Sequence, residues 1–536
     1  MGLGIREGIM ALGLSRFISQ TLAGFSALFA RIVLIAAELI FLAFAFAWYQ
    51  TKNTLVGKTE AFIVKYKYEL LLGIAILIYV LYFTNASFLR FDNFYTGRFD
   101  LGNMDQTVWN TTQGRIFQLT NPDGTDIISR LAYHADFILI LLAPFYFIWS
   151  DPHMLLLIQT VVLALGAIFV FLLARKIIIN KSLAFIFSLA YLLNPSIQHA
   201  NLYDFHAVTL ATTFLLGSFY FLLNKKYLWF LLFSILAGLT KENVWTIVAL
   251  FGGYIAFTNA QKKELPRQIF GVVVCIASLT IFYYLVWHAI PAARGAQHFA
   301  LSYYSDFGDN PTNIVKNIVF SPGKTIKTLS QTDRITYVVQ LLEPLGFLPL
   351  LSPVYLFFAA PDLFISLLSN NAQLRQLYFH YGSTIVPFIF IAGMQGSKRA
   401  KKWAFFIIGT ALLSAYFYGP LPAAKNPNLG MFTAPLENRE FIKTFLASLD
   451  KQYSIAATNN VGSHVSQREK IYTIPQGLEK ADIVIFLLND QFAQPSLLAQ
   501  KAMAESLKRN RGYKLLVEQG NFVAFQKLAV AKLLLK

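Results

Sequence analysis

Long apolar stretches recur along most of this chain, and the polar segments between them are of two kinds. One kind is short and basic; the other is longer and mixed or acidic. A hydrocarbon core about 30 Å thick takes roughly 20 helical residues to cross, so the stretches predict membrane-spanning helices. Leu70–Ser87 leads to a long polar loop that runs to about Asp151. Leu155–Ala174 returns and ends at Arg175, Lys176 and Lys181. Ser182–Ser196 and Ala207–Leu223 flank a short polar loop with His199, Asp204 and His206. Tyr227–Leu239 and Val244–Phe257 flank the turn Thr240-Lys241-Glu242-Asn243. Ile269–Ala289 opens a second long loop, Pro291–Arg334. Ile335–Leu351, Val354–Leu368, Leu377–Met394 and Trp403–Tyr418 complete the series.

Basic loops stay on the cytoplasmic side. With that rule every basic cluster between spans lands inside, and both long loops land outside. The assignment requires that apolar His134–Trp149 does not cross. A crossing would carry Arg175, Lys176 and Lys181 outside, so a helix lying in the interface is expected there. Ile32–Tyr49 predicts one further span. Met1–Arg31 then starts outside despite Arg6 and Arg16, and it lacks the pattern of a cleaved signal peptide.

The pattern changes after Gly419-Pro420. Pro420, Pro422, Pro427 and Pro435 mark a linker. Beyond it, Glu440–Leu449 and Gln491–Lys508 have helical spacing. Tyr453–Thr458 and Ile483–Leu488 are short β-rich runs, and Tyr513–Glu518 and Asn521–Gln526 predict a terminal hairpin. The expected organisation is an N-terminal segment (1–69), a transmembrane domain (70–419) with long outer loops 88–153 and 291–334, and an extracytoplasmic α/β domain (420–536).

Composition agrees with this class. Hydrophobic residues make up 56% of the 536 and charged residues only 14%, against about a quarter charged in soluble proteins. The 50 Phe and 26 Tyr suit a lipid-facing surface. The single cysteine, Cys275, excludes disulfides and cysteine-ligated metals. The net charge of +17 fits cytoplasmic loops meeting anionic lipid. No basic stripe is interleaved with exposed aromatics, so nucleic acid is not an expected partner.

The candidate chemistry lies on the predicted outer side. Asp100 and Asp105 stand in the first long loop, as base and ligand or as solvated loop acids. His134 and Asp136 precede an apolar run, where they contact substrate or cap a helix. Asp204 and His206 stand between two spans, and polar groups at such depth usually face a cavity. Glu242 belongs to the next turn, as a site carboxylate or neutralised by Lys241. Arg375 and His380 begin a later span. An arginine there forks onto a phosphate or snorkels to headgroups. No phosphate-binding loop, nucleophile elbow or H-E-x-x-H motif is present.

The strings FDLGNMDQTVWNTTQG, HADFILILLAPFYFIWSDPHMLLLIQT, LNPSIQHANLYDFHAVTLATTFLL, LTKENV and FHYGSTIVPFIF occur in this order. With the later IAATNNVGSHVSQREKIYTIP, they resemble a family of predicted membrane proteins, domain of unknown function 2079, of the GT-C glycosyltransferase clan. The resemblance runs from about Leu70 to Leu488. It implies a polytopic α-helical GT-C-like fold of about 11 to 13 transmembrane helices in the plasma membrane.

The resemblance also implies inverting sugar transfer from a polyprenyl-phosphate donor to an outer-face acceptor, whose identity is open. Asp100 becomes the expected base, with Asp105 as second candidate. Asp204, His206 and Glu242 would line the cavity, His134 would contact substrate, and Arg375 and His380 would meet the phosphate. Asp100 and Asp204 are the candidate ligands for Mg2+ or Mn2+. The D-x-x-x-x-D spacing departs from the tight D-x-D of some clan members, which puts metal dependence in question. A transporter or lipid flippase using the same polar groups is the alternative. It would carry its polar path toward the bilayer midplane.

Overall fold

A computed structural model describes residues 55–528. The expected span Ile32–Tyr49 and the segment before it lie outside the described residues.

Helices dominate, as the apolar pattern demands. Helix α1 (Leu55–Asp92) contains one stretch long and apolar enough to cross a membrane, Phe62–Asp92. Two others qualify among the described residues, His153–Ile178 and Leu265–Arg294, and eight further apolar helices run 10–17 residues. Several of the expected spans therefore form as shorter helices broken by turns. Ile138–Phe147 is one of the short ones. Ten residues rise about 15 Å, half the hydrocarbon thickness, which is too little to cross.

One end of the bundle is basic. Arg175 and Lys181 both reach Glu69, at 3.1 and 3.3 Å. The start of α1 and the 175–181 cluster thus share an end, as the charge rule requires. The chain turns there because Ile179 is left-handed and Asn180 caps the next helix through the Leu183 amide.

The first long loop lies at the other end. It holds a wide turn (Arg98–Gly102), helix α2 (Asn103–Thr112) and a small hairpin, β1 (Gln118–Thr120) with β2 (Ile127–Ser129). Helix α3 (His153–Ile178) then returns through the bundle. Helices α4 (Val244–Ala260) and α5 (Leu265–Tyr284) pack closely at two glycines. A Cβ on Gly252 would come within 2.4 Å of the Cys275 nitrogen, and one on Gly271 within 2.4 Å of the Ala256 nitrogen. Small residues allow such backbone approach between apolar helices.

The C-terminal region holds a five-stranded sheet: β3 (Ile455–Ala457), β4 (Ile471–Thr473), β5 (Ile483–Leu487), β6 (Tyr513–Gln519) and β7 (Phe522–Lys527), in the order β4-β3-β5-β7-β6. Strands β4, β3 and β5 are parallel, and β7 joins them antiparallel to β5 and β6. Helix α6 (Arg439–Ser448) covers one face through Ile442 and Leu446, and α7 (Leu497–Arg509) the other through Ala504 and Leu507. The three central strands are buried on both faces, hence their unbroken apolar runs. Strand β4 was not expected from the sequence. It is three residues long and follows the charged run Arg468-Glu469-Lys470.

This sheet region is fastened to the first loop. Lys443 pairs with Asp92 at 2.8 Å, and Thr96 bonds Ser463 at 2.9 Å. The His464 ring lies between Phe91 and Phe94, with ring centres 4.0 and 3.8 Å away.

Candidate functional site

The site begins with the wide turn after α1. The Gly102 amide bonds back to the Gly97 carbonyl, which leaves Asp100 at the apex. Gly97 is tightly enclosed, for a Cβ there would meet the Asn459 side chain at 2.8 Å. Its amide donates to Asp204 Oδ2 at 2.8 Å. The turn is therefore seated on the 203–206 loop from one side and on the C-terminal region from the other.

The 203–206 loop is itself clamped from α3. Gln159 Nε2 donates to the Asp204 carbonyl at 2.9 Å, and Gln159 Oε1 accepts from the His206 amide at 2.9 Å and the Thr209 hydroxyl at 2.8 Å. Gln159 is fully buried. Asp204 adopts φ +33°, in the left-handed region that a short polar residue tolerates best. Gln159 was missed in the sequence reading. Its signal is the Gln159-Thr160 pair in the otherwise apolar run Leu155–Ala174.

Asp100 receives the donors this loop presents. His206 Nε2 lies 3.1 Å from one oxygen, and the Tyr203 hydroxyl donates to the other at 3.2 Å. The His206 ring stacks on His380 at 3.7 Å and on Tyr203 at 5.4 Å. A third of the Asp100 side chain stays exposed, facing a cleft of about 430 Å³. Phe99, Tyr203, His380 and Tyr381 line the cleft on the bundle side; Asn459, Asp490, Phe492 and Gln494 line it from the C-terminal region. Those four were not among the expected site residues.

The two carboxylates differ in state. Burial pushes the Asp100 carboxyl up, but the His206 and Tyr203 hydrogen bonds and the charges of His206 and Arg130 more than reverse this. Asp100 is held below the ordinary carboxylate range. Asp204 is 3% exposed. Its burial, then the Asp100 charge, push it up to about 6, against the pull of Arg90 at 3.7 Å and the Gly97 amide. Below about pH 6 Asp100 therefore carries the negative charge of the pair.

The remaining expected site residues lie elsewhere. Asp105 is fully buried in α2 and accepts from Tyr146 at 2.5 Å, Ser466 at 2.6 Å and Gln467 at 3.2 Å. It joins the first loop to the C-terminal region and does not line the cleft. Burial pushes it up to about 6, although these hydrogen bonds draw it back. Asp136 does not cap the following helix with its side chain; it forms a bidentate pair with Arg130. Glu242 is not neutralised by Lys241. It bonds His134 Nδ1 at 3.0 Å and the Ala135 amide at 3.0 Å, and it lies 3.4 Å from His298 Nε2. His134, Glu242 and His298 form a possible metal-binding triad, their ligand atoms all within 4.8 Å of one another. Lys241 makes no ion pair among the described residues.

Arg375 is occupied and 8% exposed. It donates to Asp333 at 2.8 Å and to the carbonyls of Ser366, Ser369 and Asn371. It braces the second loop against the span that follows instead of opening a fork toward a phosphate. The expected cation pair is also engaged. Both Asp100 oxygens accept hydrogen bonds, one Asp204 oxygen accepts from Gly97 and the other faces Arg90. That donor set does not fit a divalent cation between the two carboxylates.

The sequence family of predicted membrane proteins DUF2079 matches residues 90–523. No curated protein matches the chain. Among solved structures, ArnT from Cupriavidus metallidurans bound to undecaprenyl phosphate is similar at TM-score 0.52. It is 11% identical, with 87% of this chain and 99% of that chain covered. The Archaeoglobus fulgidus oligosaccharyltransferase in complex with Zn and sulfate is similar at TM-score 0.44. It is 12% identical, with 84% and 72% covered. Both are GT-C glycosyltransferases. The likeness to ArnT gives this chain a GT-C-like fold.

Proposed function

The chain belongs to the DUF2079 family of predicted membrane proteins, and we propose that it is a glycosyltransferase using a polyprenyl-phosphate-linked sugar. The observation that carries this reading is Asp100: an ionised carboxylate held by His206 and Tyr203 at the wall of a cleft, opposite a separate C-terminal wall. The structural neighbour with undecaprenyl phosphate bound supports a lipid phosphate as the donor's carrier.

In this reading Asp100 accepts the acceptor hydroxyl proton. The acceptor oxygen bonds the anomeric carbon, the bond from that carbon to the phosphate oxygen breaks, and the polyprenyl phosphate departs with the electron pair. One displacement inverts the centre without a covalent enzyme intermediate. His206 and Tyr203 orient the base. His380 lines the cleft and offers a hydrogen bond to the leaving phosphate; Lys241, whose charge acts on His380, supplies positive charge toward it. Asp490, Phe492 and Gln494 meet the acceptor. No step requires Mg2+ or Mn2+ between Asp100 and Asp204.

The polar cluster belongs to the end of the bundle, beside the sheet region, which favours transfer over a transport path toward the midplane. The test is sugar transfer from labelled polyprenyl-phosphate hexose by purified protein in lipid. Asp100→Asn is expected to lower turnover about 10²- to 10⁴-fold. Equal turnover would remove Asp100 from the base role. No turnover by wild type across several donors would favour the transporter.

A further inference from the structure

Three segments far apart in sequence meet at Glu242. His134 comes from the first long loop, Glu242 from the turn before α4, and His298 from the second long loop. One oxygen of Glu242 faces His134 Nδ1 at 3.0 Å and His298 Nε2 at 3.4 Å. A tetrahedral zinc site with ligands at about 2.0–2.2 Å has ligand-to-ligand edges of about 3.3 Å. The observed separations match such edges. The other Glu242 oxygen accepts the Ala135 amide at 3.0 Å, the kind of outer contact that orients a metal-bound carboxylate. The Glu242 and His298 side chains are 4% and 8% exposed, while His134 is 22% exposed. A fourth position is thus open to water on the His134 side.

We propose that His134, Glu242 and His298 bind a zinc-class divalent cation that pins the second long loop to the first. Two imidazoles and one carboxylate favour Zn2+ over Mg2+ or Ca2+, which prefer all-oxygen sets. The rings must turn lone pairs to the cation. In the cation-free form the Ala300 amide donates to His298 Nδ1 at 3.2 Å, so the ring proton is on Nε2. Loading moves that proton to Nδ1 and releases the Ala300 contact. His134 Nδ1 donates to Glu242 in the cation-free form, so loading moves its proton to Nε2.

Without the cation this part of the loop is held by weaker contacts. Arg294 lies over the Tyr133 ring at 5.0 Å and reaches the Ala132 carbonyl only at 3.4 Å. A cation bridging His134 and His298 adds a strong cross-link at this junction. The site is separate from Asp100 and does not depend on the transfer chemistry.

Protein in lipid nanodiscs is stripped with chelator, reloaded with Zn2+ or Co2+, freed of excess ion, and assayed for metal content. About one cation per chain is expected for wild type and for Asp100→Asn. Co2+ should give the visible absorption of tetrahedral coordination. His298→Ala and Glu242→Gln should lose the cation, and His298→Cys, which restores a ligand, should retain it. Stripping should speed tryptic cleavage within residues 291–334 at least tenfold in wild type and leave His298→Ala unchanged. Retention of the cation in His298→Ala, its loss in Asp100→Asn, or no stoichiometric binding by wild type would overturn the proposal.

Discussion

Asp105 makes a quantitative prediction. It is fully buried between α2 and the 463–468 turn, and its carboxyl is pushed from 3.8 up to about 6. A raised pKa means that the docked state binds the proton more tightly than an undocked, solvated Asp105 does. Stability from this group is therefore complete below about pH 4 and is lost as pH rises toward 6. A rise of about 2 pH units corresponds to about 3 kcal/mol, or a roughly 100-fold change in the docking equilibrium. The assay is hydrogen exchange of α2 and of Ser463–Arg468, corrected for intrinsic rates, from pH 4 to 7.5. Local opening in wild type should rise about 100-fold across that window. In Asp105→Asn the other carboxylates still titrate, but this component should vanish. The variant should open more than wild type at pH 4, by about 1–3 kcal/mol, because an amide cannot accept from Tyr146, Ser466 and Gln467 together, and this excess should shrink as pH rises. At pH 7.5 the variant should keep sugar-transfer activity per folded molecule. Equal pH dependence in both proteins would refute the argument.

Other residues give sharper contrasts. Gln159→Leu should lower turnover more than substrate affinity, because the His206 amide and Thr209 lose their acceptor at a cost of about 1–3 kcal/mol; a steady-state comparison with wild type decides. Asp204→Asn should lower turnover, because removing the neighbouring charge makes Asp100 a weaker base. It should also remove any acid limb of the rate profile near pH 6, the value to which Asp204 is raised. Arg375→Ala should reduce folded yield on size exclusion, since Asp333 and three carbonyls lose their donor. The molecules that fold should bind polyprenyl phosphate as wild type does. Gly271→Leu should force α4 and α5 apart, given a Cβ 2.4 Å from the Ala256 nitrogen, and lower the thermal midpoint by an amount equivalent to at least about 1–3 kcal/mol.

Much of this architecture was legible because apolar length and loop charge are local signals. The Arg175, Lys176 and Lys181 cluster was enough to argue that His134–Trp149 stays uncrossed. Asp100, Asp204 and His206 were singled out from two loops, and the structure places His206 on Asp100 across 106 positions. What local signals omit is the partner. Nothing in FDLGNMD separates an apex carboxylate open to a cleft from one buried against Ser466 five positions on. Arg375 reads as a phosphate fork until Asp333 and three carbonyls are found to occupy it. His298 carried no signal in the sequence, because its meaning depends on Glu242 and His134 from other segments.

The three carboxylates show why pairing matters more than residue type. Asp100 has two donors and a third of its surface exposed, so burial does not win and it stays charged. Asp204 has one strong donor and a cation at 3.7 Å, close to an ionised neighbour, and burial wins. Asp105 has three donors yet no ion pair among the described residues, and burial wins again. Environments that drive similar groups apart assign them different work. Here they leave one carboxylate ionised at the cleft wall, while the other two hold the wall in place. The second of those joins the first loop to the C-terminal region, so the cleft exists only while that region is docked. Sequence variation at the docking seam, in Ser466 or Gln467, should therefore raise local opening of α2 without touching the cleft.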